Sequence, residues 1–436
     1  MATRRARLRV VGVAFLLALC LVPPVVETLK VTSPESEDAP NQVLEWNQIF
    51  IDTLIVTNTA NSSSQRLGAI VQTAVFDAYN GIARRYTPIF VQPAAPPGAS
   101  RRAAVIAAAH TALVGLFPTR QAALDASYTT SLAALSDDGG DGGESREHGI
   151  AWGTYVAESV LAWRANDGFG LPYPPFTGGT ATGQWRPTPP AFGPMSAQGL
   201  AFTDMFVLDD NTQFRPPPPR ELAASTYADD FNAVKALGRR TGSTRTDDES
   251  ALALFWEGNA SVHWNQAANQ LARANHLSMS ESNRLLALLN IAMADTAFTT
   301  WSGKRFYGAN PADVTWRPVT AIPLADSDGN PDTVADPTWV PLINTPSHPE
   351  YPAGHPSLNG AAATVLLSHF DDAQTFVLTT GQTSRTYDSI ARARLDGNNG
   401  RVWGGMHFPS TVAISDAEGA AIAMYVSQHA MKSVLR

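Results

Sequence analysis

Pro346-Ser347-His348-Pro349-Glu350-Tyr351-Pro352-Ala353-Gly354-His355 runs directly into Pro356-Ser357-Leu358-Asn359-Gly360-Ala361-Ala362-Ala363-Thr364-Val365-Leu366-Leu367. The second part reads as a buried helix that tolerates proline in its first turn. His355 is then expected at the positive end of a helix, and the Gly354 amide can donate to an anion there without crowding it. A second stretch, Arg401-Val402-Trp403-Gly404-Gly405-Met406-His407, begins with arginine and also ends in histidine. Upstream, Trp301-Ser302-Gly303-Lys304 and Trp316-Arg317-Pro318-Val319-Thr320-Ala321-Ile322 add one lysine and another arginine. Planar guanidiniums grip the oxygens of a tetrahedral oxyanion bidentately, and an ammonium serves as a point charge. Two arginines, a lysine and a backbone amide meet that demand.

These motifs resemble those of the vanadium-dependent haloperoxidases of the type-2 phosphatidic acid phosphatase superfamily. The superfamily pattern is a lysine followed by Arg-Pro, then Pro-Ser-Gly-His, then arginine with histidine six residues later. Arg317-Pro318, Gly354-His355 and Arg401 with His407 match it. Val43-Leu44-Glu45-Trp46-Asn47, Trp185-Arg186-Pro187-Thr188-Pro189-Pro190, Thr244-Arg245-Thr246, His263-Trp264-Asn265 and Gly405-Met406-His407-Phe408 resemble bacterial haloperoxidase-like sequences as well.

The resemblance implies that His407 is the axial ligand of vanadium in bound vanadate, or the nucleophile toward phosphorus in a phosphatase. It makes His355 the acid-base partner. Lys304, Arg317, Arg401, the residue at position 353 and the Gly354 amide would hold the equatorial oxygens. Histidine suits both roles because it titrates near neutrality and its two nitrogens can be engaged differently. Hydrogen peroxide with halide, or a phosphate ester, are the substrates implied. His348 falls where related bromoperoxidases also carry histidine and fungal chloroperoxidases carry phenylalanine, which favours bromide.

The chain departs from the family pattern twice. Ala353 stands where serine is usual, removing a hydroxyl donor to the oxyanion; one such bond to a charged group contributes about 1.5–3 kcal/mol, roughly tenfold to a hundredfold in affinity. The family lysine lies about two helical turns before its arginine. Here Lys304 and Arg317 are separated by a segment holding Gly308, Asn310 and Pro311, which break a helix. The extra segment is expected to loop out and return, and Arg305 is the nearest substitute should Lys304 miss the site. A degenerate, non-catalytic oxyanion-binding protein is the third reading, beside peroxidase and phosphatase.

The remaining candidates have plain structural readings. His110, His148, His369 and His429 read as structural, His263-Trp264-Asn265 as core scaffolding, and Arg392 with Arg394 as a solvated face.

With 436 residues, 44% of them hydrophobic, the chain can bury a large core. A formal charge of −8 without a basic stripe outside the N-terminus argues against a nucleic-acid partner. A single cysteine, Cys20, leaves no intramolecular disulfide and no Cys-based zinc site. Arg4, Arg5, Arg7 and Arg9 precede the apolar run from Val10 to Val22. That order reads as a signal for export to the periplasm or beyond, with an uncleaved membrane anchor as the alternative.

The rest reads as helices joined by long loops. Leu67 to Ile82 and Arg101 to Leu116 are alanine-rich and amphipathic, and Ser278-Met279-Ser280-Glu281 forms a capping box before the apolar run from Leu285 to Ala297. Loops are expected at Pro93 to Ala99, Asp137 to Glu144, Asp167 to Pro194, Pro216 to Pro219 and Pro323 to Pro341, and no alternating strand pattern is sustained. The expectation is an all-α bundle of the haloperoxidase type: a signal or anchor over 1–27, a linker over 28–42, and one helical domain over 43–436 with its oxyanion site drawn from 295–416.

Overall fold

The computed structural model describes residues 41–135 and 142–434; the expected signal and most of the linker lie outside them. Within this range, thirteen α-helices carry the architecture. In chain order they are α1 (Gln42–Val56), α2 (Asn61–Ala83), α3 (Arg101–Leu116), α4 (Gln121–Ala133), α5 (Gly142–Arg164), α6 (Ser225–Leu237), α7 (Asp247–Phe255), α8 (Ala260–Ala274), α9 (Met279–Ala309), α10 (Pro318–Ala321), α11 (Gly354–Leu367), α12 (Ile390–Trp403) and α13 (Pro409–His429).

Local signals set several boundaries. The α3 span coincides with the amphipathic stretch expected from the sequence. At the head of α9 the capping box forms: Glu281 N donates to Ser278 Oγ, and Ser278 N donates to the Glu281 carboxylate. That helix then runs 31 residues. It is buried around most of its circumference, as expected of a central helix with neighbours on all sides. It packs against α2, α11 and α13, and Asp295 on it accepts three backbone N–H groups, from Phe206, Val207 and Leu208, pinning the long loop between α5 and α6.

The crossing of α11 with α13 depends on two small residues. A Cβ on Gly360 would lie 2.1 Å from the Asp416 carbonyl oxygen, and one on Gly419 would lie 1.8 Å from that of Ser357. Each backbone occupies the space that a side chain would need on the other. This close approach sets the N-terminus of α11 beside the turn that begins α13.

Two sequence expectations change. A two-stranded antiparallel hairpin, β1 (Phe376–Thr380) with β2 (Thr383–Tyr387), pairs Phe376 with Tyr387. Its alternation is short and polar, so sequence pattern alone does not show it. Side-chain amides from α8 cover its edge: Val377 N and Thr379 N donate to Gln270 and Gln266, and those side chains donate back to the Val377 and Thr379 carbonyls. The loop expected to run to Glu144 ends earlier, because α5 already begins at Gly142.

Candidate oxyanion site

Five separate segments meet at the site. Lys304 comes from the last turns of α9, and Arg317 stands at the N-cap of α10. The 346–355 stretch supplies His348, Glu350 and the start of α11, Arg401 closes α12, and His407 lies in the turn before α13. That last turn requires glycine: Gly405 has φ +74°, and a Cβ there would meet the Gly238 carbonyl oxygen at 2.6 Å. The Met406 and His407 amides both donate to the Arg401 carbonyl, which locks arginine and histidine into one unit.

Lys304 lies in the cluster despite the insertion. The helix continues through it to Ala309, so the excursion is confined to the residues from Asn310 to Arg317. Its Nζ is fully buried and donates to the Pro349 carbonyl at 2.7 Å and the Glu350 carbonyl at 3.2 Å. Arg305, one residue on, stacks its guanidinium 4.3 Å over Phe176 and takes no place in this cluster.

Arg317 is held by four contacts. Nε donates to the His348 carbonyl at 2.9 Å, Nη1 to the Met406 carbonyl at 2.8 Å and to His407 Nε2 at 3.0 Å, and Nη2 to His348 Nδ1 at 2.7 Å. Because a guanidinium cannot accept, these bonds settle tautomers. His407 Nε2 carries a lone pair, so Nδ1 bears the proton and donates to Glu350 Oε1 at 2.9 Å. His348 Nδ1 accepts likewise, which leaves its Nε2 as the N–H and means that the 3.2 Å approach of Nδ1 to the Pro349 carbonyl is not a hydrogen bond.

Glu350 was not legible as a functional group. It is 1% exposed, and besides His407 it accepts from Phe408 N at 3.0 Å and Thr411 Oγ1 at 3.0 Å. Burial pushes its carboxyl up to about 7, against the pull of Arg317, the Phe408 amide and Lys304. A second carboxyl missed by the sequence reading, Glu418 on α13, is pushed up to about 8 by burial; Thr300 donates to it at 3.2 Å.

Arg401 is the least engaged cation. It is 3% exposed, and among the described residues its Nε has no partner and its one hydrogen bond goes from Nη1 to the Trp256 carbonyl at 3.4 Å. Neither Arg317 nor Arg401 lies within ion-pair distance of a carboxylate among the described residues. They are therefore not helix-packing ion pairs. Trp256 and Gly258, outside the expected 295–416 range, contribute carbonyls to the surroundings.

His355 stands to one side. Its Nε2 lies 3.2 Å from the Gly258 carbonyl and 3.4 Å from the Asn61 amide. Since a carbonyl only accepts, Nε2 bears the proton and the Asn61 approach is not a hydrogen bond. Burial lowers its pKa, followed by Arg401, which shows that the ring lies within electrostatic reach of the cage. Burial also holds His407 and His348 well below 6.5, with Arg317 and Lys304 adding to the shift, so these imidazoles are neutral at physiological pH.

Ala353 is fully buried at the N-cap of α11 with no side-chain cap, and its amide donates to Ser415 Oγ at 2.7 Å. A Cβ on Gly354 would meet the Trp301 ring at 3.2 Å, so packing as well as donor access calls for glycine there. Arg394 departs from the solvated-face expectation: its guanidinium pairs bidentately with Asp416 at 2.6 and 2.7 Å, tying α12 to α13.

Three buried basic side chains surround one imidazole lone pair, with burial and then Arg317 pushing the Lys304 ammonium well below its ordinary pKa, and Glu350 is already committed to His407. Burying unpaired charge is costly, and a bound oxyanion removes that cost. Several donors remain open for it: one N–H on Arg317, one on Lys304, and most of the Arg401 fork.

A family model described as the VCPO second helical-bundle domain matches residues 284–435, the part that holds every cage residue. No curated protein matches in sequence. Among solved structures, the first bacterial vanadium-dependent iodoperoxidase is similar, with TM-score 0.76 and 22% identity over 92% of this chain and 100% of that one. Apo-type bacterial vanadium-dependent chloroperoxidase aligns with TM-score 0.65 and 21% identity, over 84% of this chain and 93% of that one. The holo-type chloroperoxidase gives 0.64 and 19%, over 91% and 95%. Residues 284–435 thus match the second helical-bundle domain of that family model, and the bundle as a whole has the fold of the bacterial vanadium-dependent haloperoxidases.

Proposed function

We propose that the protein is a vanadate-dependent haloperoxidase that oxidises halide with hydrogen peroxide to hypohalous acid, consuming one proton and releasing water. The observation that carries this reading is the chain Glu350–His407–Arg317: the carboxylate fixes the Nδ1 proton, and Nε2 presents a lone pair among three buried basic side chains. A histidine meant only to pack would not need its second nitrogen kept basic there.

The residues present fit vanadate, since Arg401 keeps an orphaned buried Nε and the donor set is cationic. His407 Nε2 would ligate vanadium, and Lys304, Arg317, Arg401 and the Gly354 amide would hold its oxygens. Bound vanadate supplies a Lewis-acid centre that activates peroxide. Arg317 fixes His348 through Nδ1. The Nε2–H of His348 is then the donor we assign to the halide, with bromide preferred. His355, held neutral by burial and Arg401 and with its Nε2–H on the Gly258 carbonyl, is the acid-base partner we assign through its Nδ1. Export by the N-terminal segment belongs to the same proposal.

Full-length protein incubated with vanadate should brominate a phenolic dye with hydrogen peroxide, and should oxidise iodide and bromide faster than chloride. Hydrolysis of an aryl phosphate without bromination would transfer the assignment to a phosphatase acting through phosphohistidine at His407. Vanadate binding with neither activity would leave a non-catalytic binder.

A further inference from the structure

A second cationic site lies on another face of α9. Ser302, Arg305, Phe306 and Ala309 fall on one stripe of that helix, at spacings of three, four and seven residues, rotated away from Lys304. With Phe202 and Arg215 they line an open cavity of about 520 Å³, within the usual range for small-molecule sites.

Both arginines are half-buried and held in place without a carboxylate. Arg215 lies 4.2 Å over the Phe306 ring, and its Nη2 donates to Ser302 Oγ at 3.1 Å. Ser302 donates in turn to the Asn211 side-chain oxygen at 3.1 Å. Arg305 lies 4.3 Å over Phe176. Neither forms an ion pair among the described residues, and no acidic residue lines the cavity. Exposed Asp210 acts on Arg215 only through space. Two guanidiniums beside one cavity repel each other, and stacking on rings fixes their planes. The walls offer more than charge: Phe306 is 53% exposed and Phe202 41% exposed. Large apolar surface flanking two unpaired forks suits a flat ring that carries a flat anion.

We propose that this cavity binds small aromatic carboxylates, the acid group set against Arg215 and Arg305 and the ring against Phe202 and Phe306. The carboxylate matches the planar forks bidentately. The site stands independently of the chemistry assigned to the His407 cage.

The test is a titration of full-length protein, its cage saturated with vanadate, using benzoate, neutral benzamide and ring-less acetate, followed by ligand-observed NMR. Benzoate should bind saturably, with benzamide and acetate about tenfold weaker or more. Arg215→Gln and Arg305→Gln, both at half-buried positions and checked for fold by thermal melts, should each weaken benzoate about tenfold. The proposal is overturned if benzoate does not bind, if benzamide or acetate binds equally well, or if both variants bind benzoate as the parent does.

Discussion

Two buried polar regions of the bundle solve the same problem in opposite ways. Between α1, α2, α8 and α9 lies a neutral amide core: Asn47 donates to Asn269, Gln72 donates to Asn47, and Asn265 and Asn290 donate to each other at 3.0 and 2.9 Å. Three further N–H groups, from Asn269, Asn265 and Asn290, end on the backbone carbonyls of Leu44, Ser261 and Leu286, and Gln72 Oε1 has no partner. Around His407 the balance is reversed, with three buried basic side chains, one committed carboxylate and N–H groups left over. A polar core that closes on itself specifies how helices pack. One that keeps an excess of donors of a single sign is what the oxyanion proposed above would require.

Substitutions on the two sides should therefore fail differently. Arg401→Gln removes a cation with one long protein contact, so vanadate affinity should fall by about 10- to 100-fold, read by calorimetry, while thermal stability holds or rises. Asn290→Ala leaves Asn265 with an unmet partner and should cost about 1–3 kcal/mol of stability in denaturant melts, with vanadate affinity in the surviving fold unchanged. If the two variants exchanged phenotypes, the contrast between closed and open polar cores would be wrong.

A gain is expected at the edge of the cage. Ala353→Ser restores a hydroxyl at the N-cap of α11, and vanadate should bind about tenfold tighter. An unchanged affinity would show that this position turns away from the ion.

A pH-dependent effect concerns Glu418. Its folded-state pKa of about 8 lies above the ordinary 4.5, so the fold favours the protonated carboxyl. That contribution is fully present below about pH 4.5 and is lost as pH rises through 8. Glu418→Gln keeps a neutral group throughout, so its melting temperature should gain on the parent between pH 5 and 8. Parallel curves would show that Glu418 is ionised at both ends.

Much of this was legible because it is local. Periodicity bounds α3; a capping box opens α9; Gly354 begins α11. The site motifs name Arg317, Arg401, His355 and His407 through short spacings. Glu350 was not legible, because 57 residues separate it from His407 and only the packing of the 346–355 stretch against the α13 turn brings them together. The path of Lys304 was equally hidden, since nothing in the spacing to Arg317 shows that α9 persists through Gly308. Arg394 read as a solvated residue because its partner, Asp416, belongs to another helix.

Vanadate titration of the parent and of His407→Ala by calorimetry tests the central claim most directly. The account predicts one vanadate per chain in the parent and no saturable binding in the variant, with both proteins melting as folded bundles. Equal affinity in the two would contradict it.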